Sequence, residues 1–275
     1  MRYTLEKLLI TSARKDKSIY LLVNDLGIFS DFRKEFPNRF INCGIGEPNM
    51  VSVASGLSLE GNTPIIYSVA GFCIHRGFEQ LKFDMCYRSK KLVIINAGAG
   101  LCYNKVGAGH YLVDDFALMG SLPRMSIFAP IDISEFTSTF LNSLESDKVS
   151  YIRTGLDNCP SIEVDSEGYI KKGDYSLTVV STGIFSSELA NNLRDLPVNI
   201  LHINNIKSIK LTGNIIIIED HIQFGGLSHY IFGANILDHI HLPDKVEFMA
   251  ETREELLEKY GLDNESIRKK IKEYL

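Results

Sequence analysis

The chain has 275 residues, 45% of them hydrophobic and 23% charged, with a formal net charge of −5. A chain of this length can bury sizeable cores as one or two α/β domains, and its weak acidity gives no basis for nucleic acid or an anionic membrane as a partner. The five cysteines, at 43, 73, 86, 102 and 159, form no CxxC pair and no metal-ligand spacing, so they read as small buried side chains in a reducing compartment.

The opening segment carries charges within and after its short apolar stretch. It is therefore expected to be neither signal peptide nor membrane span, and the protein to be cytoplasmic. Leu5, Leu8, Leu9 and Ser12 mark the inner stripe of a first helix, 19–23 an apolar strand, and 29–36 a helix stopped by Pro37. Phe40 and Ile41 then lead into Gly44, Gly46, Glu47 and Pro48, and Met50, Val53, Ala54 and Leu57 recur at helical spacing up to Gly61. That is a strand, a glycine turn and a helix, with a carboxylate at the positive end of the helix dipole. Taken alone, such an acid is a cap worth roughly 0.3–1 kcal/mol.

Further along come a strand over 65–69 entered by Pro64, a helix over 77–87, a strand over 92–95 and a glycine-rich loop over 97–109. A helix near 113–119, a strand over 125–128, a helix over 134–144 and a strand ending Tyr151-Ile152-Arg153 follow. The charged, turn-prone texture between 157 and 174 predicts a boundary, with one domain over 1–158, a linker over 159–174 and a second domain over 175–275. In the second, strands are expected over 177–181, 198–202, 214–218 and near 246–248, and helices over 186–193, 225–236 and 264–275. The fold class read from this alternation is α/β, two domains, each a mostly parallel sheet flanked by helices.

Residues 40–61, FINCGIGEPNMVSVASGLSLEG, resemble the pyrimidine-binding domain of the thiamine-diphosphate-dependent transketolase family, G-I-x-E-x-N-M-x-x-x-A-x-G-L-x-x-x-G. The resemblance implies that Glu47 hydrogen-bonds N1′ of the cofactor's aminopyrimidine and is catalytic. It also implies a raised pKa, since burial disfavours the charged form. Ser68-Val69-Ala70-Gly71-Phe72 with Arg76 and Glu79-Gln80 resembles the family's T-F-x-x-F-x-x-x-R-x-x-x-Q. That implies Phe72 stacks on the pyrimidine and Arg76 belongs to the cofactor site, while Val69 stands where the family has its first aromatic. Gly107-Ala108-Gly109-His110 resembles G-P-T-H and implies that His110 faces the substrate, as a catalytic and substrate-binding group. On the residues alone, a histidine beside glycines reads equally as a loop residue bonded to backbone.

Arg153, in YIRTG, falls where the family has an arginine that meets a substrate phosphate, a task suited to its bidentate fork. An arginine at a strand end also reads as an ordinary ion pair. Glu219-Asp220-His221 ahead of Gly225-Gly226-Leu227 resembles the family's C-terminal domain, where His221 would cap or pin that domain. Sugar-phosphate transketolases carry an acid four places before the loop histidine and another histidine upstream; Val106 and Gly98 stand there instead, which implies a different donor.

No G-D-G is present, so no metal ligands are expected in this chain. The resemblance thus implies the C-terminal subunit of a split enzyme. It would move a ketol or acyl-type unit from a ketose or 2-oxo donor to an aldehyde acceptor. Its thiamine diphosphate would be completed by Mg2+ (or Ca2+) held on an N-terminal transketolase-like subunit with a G-D-G motif, most simply as a heterotetramer with two copies of each chain. Two alternatives stay open: the beta subunit of a 2-oxo acid dehydrogenase, and a non-catalytic regulatory or structural subunit.

Overall fold

Short apolar runs rich in Ile, Leu and Val form strands that must be covered on both faces, and the chain supplies helices for each. The computed structural model describes residues 2–88, 90–155, 160–245 and 251–275, with side chains from residue 4 onward. In chain order the strands are β1 (Ile19–Val23), β2 (Phe40–Asn42), β3 (Thr63–Val69), β4 (Leu92–Ala97), β5 (Met125–Phe128), β6 (Val149–Thr154) and β7 (Tyr169–Lys171). They continue with β8 (Leu177–Thr182), β9 (Asn199–Ile203), β10 (Asn205–Ile206), β11 (Ile209–Lys210), β12 (Asn214–Ile222), β13 (Ile231–Phe232) and β14 (Asn235–Leu242). The helices are α1 (Arg2–Lys15), α2 (Ser30–Glu35), α3 (Glu47–Leu59), α4 (Phe72–Arg76), α5 (Phe78–Gln80, continued by a π-helical turn over Leu81–Cys86) and α6 (Asp115–Gly120). After them come α7 (Ile133–Glu145), α8 (Gly183–Asn192), α9 (Arg253–Lys259) and α10 (Asn264–Lys272). No described helix is long and apolar enough to cross a membrane.

The larger sheet has the order β10-β5-β6-β4-β3-β1-β2, parallel except for β10, and the smaller one β14-β12-β8-β9-β7, parallel except for β7. Because side chains alternate along a strand, Ile65 and Tyr67 of β3 pack with Leu5, Leu9, Phe32, Phe136 and Phe140 of α1, α2 and α7. Ile66 points the other way, into a core with Met50, Ala54, Leu81 and Phe116. That second core runs on into Val180, Ile215 and Ile217 of the smaller sheet, so the two sheets share buried surface. The far face of the smaller sheet is closed by α8, α9 and α10 through Leu189, Leu256, Ile267 and Ile271.

The α/β class, with two mostly parallel sheets flanked by helices, is as expected. Three details differ. The expected helix over 225–236 is a single 3₁₀ turn, Leu227–His229, followed by β13 and β14. Gly225, at φ +71°, lies where a Cβ would sit 2.2 Å from the Cβ of Ala117, and Gly233 at φ +88° breaks the chain again. The isoleucines of that segment are claimed by strands, with Ile231 paired to Ile209 and Ile236 to Ile215. The expected linker supplies β7, and β10 crosses back to pair with β5 of the larger sheet. Helix α9, started by a Thr252–Glu255 capping box, lay outside the expected elements, and the expected strand near 246–248 lies outside the described residues.

One buried charge cluster fastens the sheets together. Arg153, near the end of β6, donates from Nε to Asp115 at 3.0 Å and from Nη1 to Asp220 on β12 at 2.8 Å. Its Nη2 donates to the Leu112 and Asp220 carbonyls, and the guanidinium lies 4.9 Å over the Phe116 ring. Tyr151 donates to the same Asp115 oxygen, Oδ2, at 2.7 Å, where burial and the Asp115 charge hold its hydroxyl pKa far above the ordinary value. His221 stacks on Phe116 at 5.0 Å, donates from Nδ1 to the Ile222 carbonyl and accepts the Phe116 amide at Nε2. It pins the second sheet to α6, as its position implied.

These contacts compete with the substrate-phosphate role expected of Arg153. All three of its guanidinium nitrogens donate to groups inside the protein and the residue is only 3% exposed. Breaking a buried pair leaves uncompensated charge and costs about 3–5 kcal/mol. Arg153→Met strands two carboxylates and should lower unfolding free energy by about that amount in urea titration. A loss below about 1 kcal/mol would show that the cluster does not hold the sheets together.

Candidate functional site

Parallel strands end together, and the loops leaving their carboxyl ends line one crevice. Asn24 follows β1, Glu47 follows β2, Ala70 and Phe72 follow β3, and the loop to His110 leaves β4. Glu47 is the first residue of α3, with Pro48 second. Its residue surface is only 2% exposed. Asn24 Nδ2 donates to its Oε1 at 2.9 Å, and Arg76 Nη1 donates to the same oxygen at 3.1 Å.

Burial pushes the Glu47 carboxyl up, but bonds from its own backbone amide, Asn24 and Arg76, with the Arg76 charge, outweigh it and hold the pKa below the ordinary range. This corrects the expected rise. The covering is thin on one side, since the Arg76 side chain is 48% exposed, and donors prevail over desolvation there.

The turn that presents Phe72 is built at the end of β3. Ala70 takes the left-handed region at φ 50°, and its carbonyl accepts Asn96 Nδ2 at 2.6 Å from the fully buried end of β4. At Gly71 a Cβ would lie 2.4 Å from the His75 ring, so a larger residue there would push that ring aside. His75 in turn meets Asp114, at the start of α6, at 2.9 Å. That hydrogen bond holds the His75 pKa above its ordinary value, and against burial it keeps Asp114 below its own.

Phe72 is half-buried, with the Arg76 guanidinium 4.4 Å over its ring and the His110 ring edge-on at 4.9 Å. Glu47, Phe72, Arg76 and His110 are thus brought together, while Arg153 is not part of the group. Sequence reasoning missed Asn24. Its signal was a polar side chain immediately past an apolar strand, at the end where crevices form. Asn24 Oδ1 is buried without a hydrogen-bond partner, an orphan acceptor beside Glu47.

Gly98, at φ +96°, is covered by Tyr103, whose ring would lie 2.2 Å from a Cβ there, and Val106 is 59% exposed. A cavity of about 430 Å3 lies beyond that loop, walled by Tyr103, Val106, Arg153, Glu188 and Arg253 among others, but not by Glu47, Phe72 or His110. The described cysteines 43, 73, 86 and 102 are all free; burial, with the Glu47 charge, pushes the Cys73 thiol to about 12, so it is inert as a nucleophile, and Cys159 lies outside the described residues.

A buried carboxylate, an aromatic face and an orphan amide oxygen suit the pyrimidine end of thiamine diphosphate. No group of three or more metal-ligating side chains occurs among the described residues to hold the diphosphate's cation. Residues 1–160 match the family described as transketolase, pyrimidine binding domain. The chain is 27% identical to the B subunit of the apulose-4-phosphate transketolase of Phocaeicola vulgatus, over 97% of this chain and 95% of that one. It is 26% identical to a 6-deoxy-6-sulfo-D-fructose transketolase subunit of a Clostridium species, over 82% of this chain and 78% of that one. Among solved structures, a split-gene transketolase in an inactive beta4 tetramer superimposes with a TM-score of 0.80 at 28% identity, covering 97% of this chain and 94% of the other. With its buried glutamate at the start of α3 and its match across the pyrimidine-binding domain, the chain belongs to the transketolase family, as a C-terminal subunit.

Proposed function

We propose that this chain is the pyrimidine-binding half of a two-polypeptide, thiamine-diphosphate-dependent transferase. It moves a ketol or acyl-type unit from a ketose or 2-oxo donor to an aldehyde acceptor. The observation that carries the reading is the Glu47 carboxylate, buried beside the Phe72 ring and oriented by Asn24. Thiamine diphosphate, when bound, supplies a nucleophilic carbon for breaking and forming carbon–carbon bonds beside a carbonyl.

Glu47 holds and returns a proton at N1′ of the pyrimidine. Asn24 fixes Oε1, so the exchange occurs at a defined position. Phe72 covers the ring face and excludes water from it. His110, edge-on to Phe72, is placed to meet substrate oxygens, and Tyr103 flanks it at 6.3 Å.

The diphosphate and its Mg2+ (or Ca2+) belong to an N-terminal partner carrying G-D-G, since no described group of side chains here suits a hard cation. Subunit names among the relatives and the beta4 assembly of the split-gene relative support a heteromer in which this chain also meets its own copy. Exposed Ile45, Phe83 and Tyr87 around α3 offer apolar surface for that contact, with two copies of each chain as the simplest complete enzyme.

Three outcomes are expected. Glu47→Gln, assayed with the partner, should lose about 10²–10⁴-fold in turnover, because an amide cannot exchange the proton; near wild-type activity would remove Glu47 from the mechanism. Calorimetric titration of the purified chain with thiamine diphosphate and magnesium should show weak binding or none, and addition of the G-D-G partner should create a metal-dependent site. Tight binding with catalysis by the lone chain would sink the split-enzyme reading. Xylulose 5-phosphate should be a poor donor, since each donor hydroxyl left facing Val106 or the covered Gly98 costs about 1–3 kcal/mol; efficient transfer from it would show that other groups bind those hydroxyls.

A further inference from the structure

Arg76 makes, within the strand-end crevice, both contacts that a flat aromatic base would make. Its Nη1 donates to Glu47 Oε1 at 3.1 Å while its Cζ stands 4.4 Å over the Phe72 ring. A guanidinium is planar, carries its donors in the plane, and stacks on aromatic faces. An aminopyrimidine held between Glu47 and Phe72 is planar too, meets the carboxylate at its edge and stacks on the ring. The two groups want the same place.

We propose that Arg76 is a displaceable placeholder for the cofactor's pyrimidine ring, which lies between Glu47 and Phe72 only once the Arg76 guanidinium has swung out. The inference rests on the function proposed above and deepens it. Arg76 can leave: its side chain is 48% exposed, it ends the short helix α4, and the contacts that hold its guanidinium are with Glu47 and Phe72 of the site itself. Glu47 keeps its orientation afterwards, because Asn24 continues to donate to the same oxygen. While Arg76 is in place it shields the Phe72 face and gives the near-buried carboxylate a counter-charge. The chain thereby meets its partner with the half-site formed but filled. Arg76 acts through Glu47 and Phe72, so it is a positioning residue.

The test uses the reconstituted two-subunit complex, titrated calorimetrically with thiamine diphosphate and magnesium. Removing an internal competitor worth one partly exposed ion pair and one cation–π contact should tighten cofactor binding in Arg76→Ala by about 5- to 30-fold. Arg76→Lys keeps the charge without the plane and should fall between wild type and the alanine variant. A crystal structure of the cofactor-bound complex should show the guanidinium off the Phe72 ring. Equal or weaker binding by the alanine variant, or a guanidinium still on both Phe72 and Glu47 with cofactor bound, would overturn the placeholder and leave the function standing. Failure of the wild-type complex to bind the cofactor would overturn both.

Discussion

A parallel sheet covered on both faces leaves its strand ends as the place where polar groups can meet solvent or ligand without disturbing a core. In this protein that constraint decides where chemistry is possible. Helices α1, α2 and α7 close one face of the larger sheet, and α3 with α6 closes the other. Asn24, Glu47, Phe72 and His110 are each delivered to the carboxyl ends by a different strand. Their separation in the chain is bridged by the sheet, because the strands that lead to them are paired in fixed parallel register.

The same sheet ends carry the charges that join the two halves. Arg153 is held by Asp115 from α6 and Asp220 from β12, and Gly100 passes so close to Asp220 that a Cβ would lie 2.0 Å from its Oδ2. A buried ion cluster is a weak source of net stability, because desolvation offsets much of the attraction. Its value is directional: only one docking of the smaller sheet satisfies both carboxylates and all three nitrogens of the guanidinium. That docking brings Glu219 to accept the Leu227 amide and places the glycine turn of 225–226 against α6. Two glutamates near strand ends thus serve opposite ends. Glu219 is enclosed by donors and has no opening, while Glu47 is enclosed on one side and covered on the other only by a side chain that can move.

Local pattern determined a large part of this molecule. Apolar runs of four to seven residues between turn signals became strands, the glycine turn and Pro48 started α3 at Glu47, and Gly61 ended it at φ +82°. These features depend on backbone preference and side-chain period within about a dozen residues, which sequence carries directly. Glu47, Phe72 and His110 could be singled out because the short motifs around them resemble those of the transketolase family; local pattern alone reads them as a cap, a core ring and a loop residue. Tertiary structure alone decided the rest. Ile231 and Ile236 fall within a segment expected to be helical, yet strands at 209–210 and 214–222 offered them partners, and glycines 225 and 233 could not continue a helix. Arg153 has the look of a ligand-binding arginine, but its partners lie 38 and 67 residues away along the chain and no local signal announces them. The ionisation of Glu47 was likewise settled by donors from β1 and α4, because a pKa depends on what surrounds a group in space and not on its neighbours in sequence.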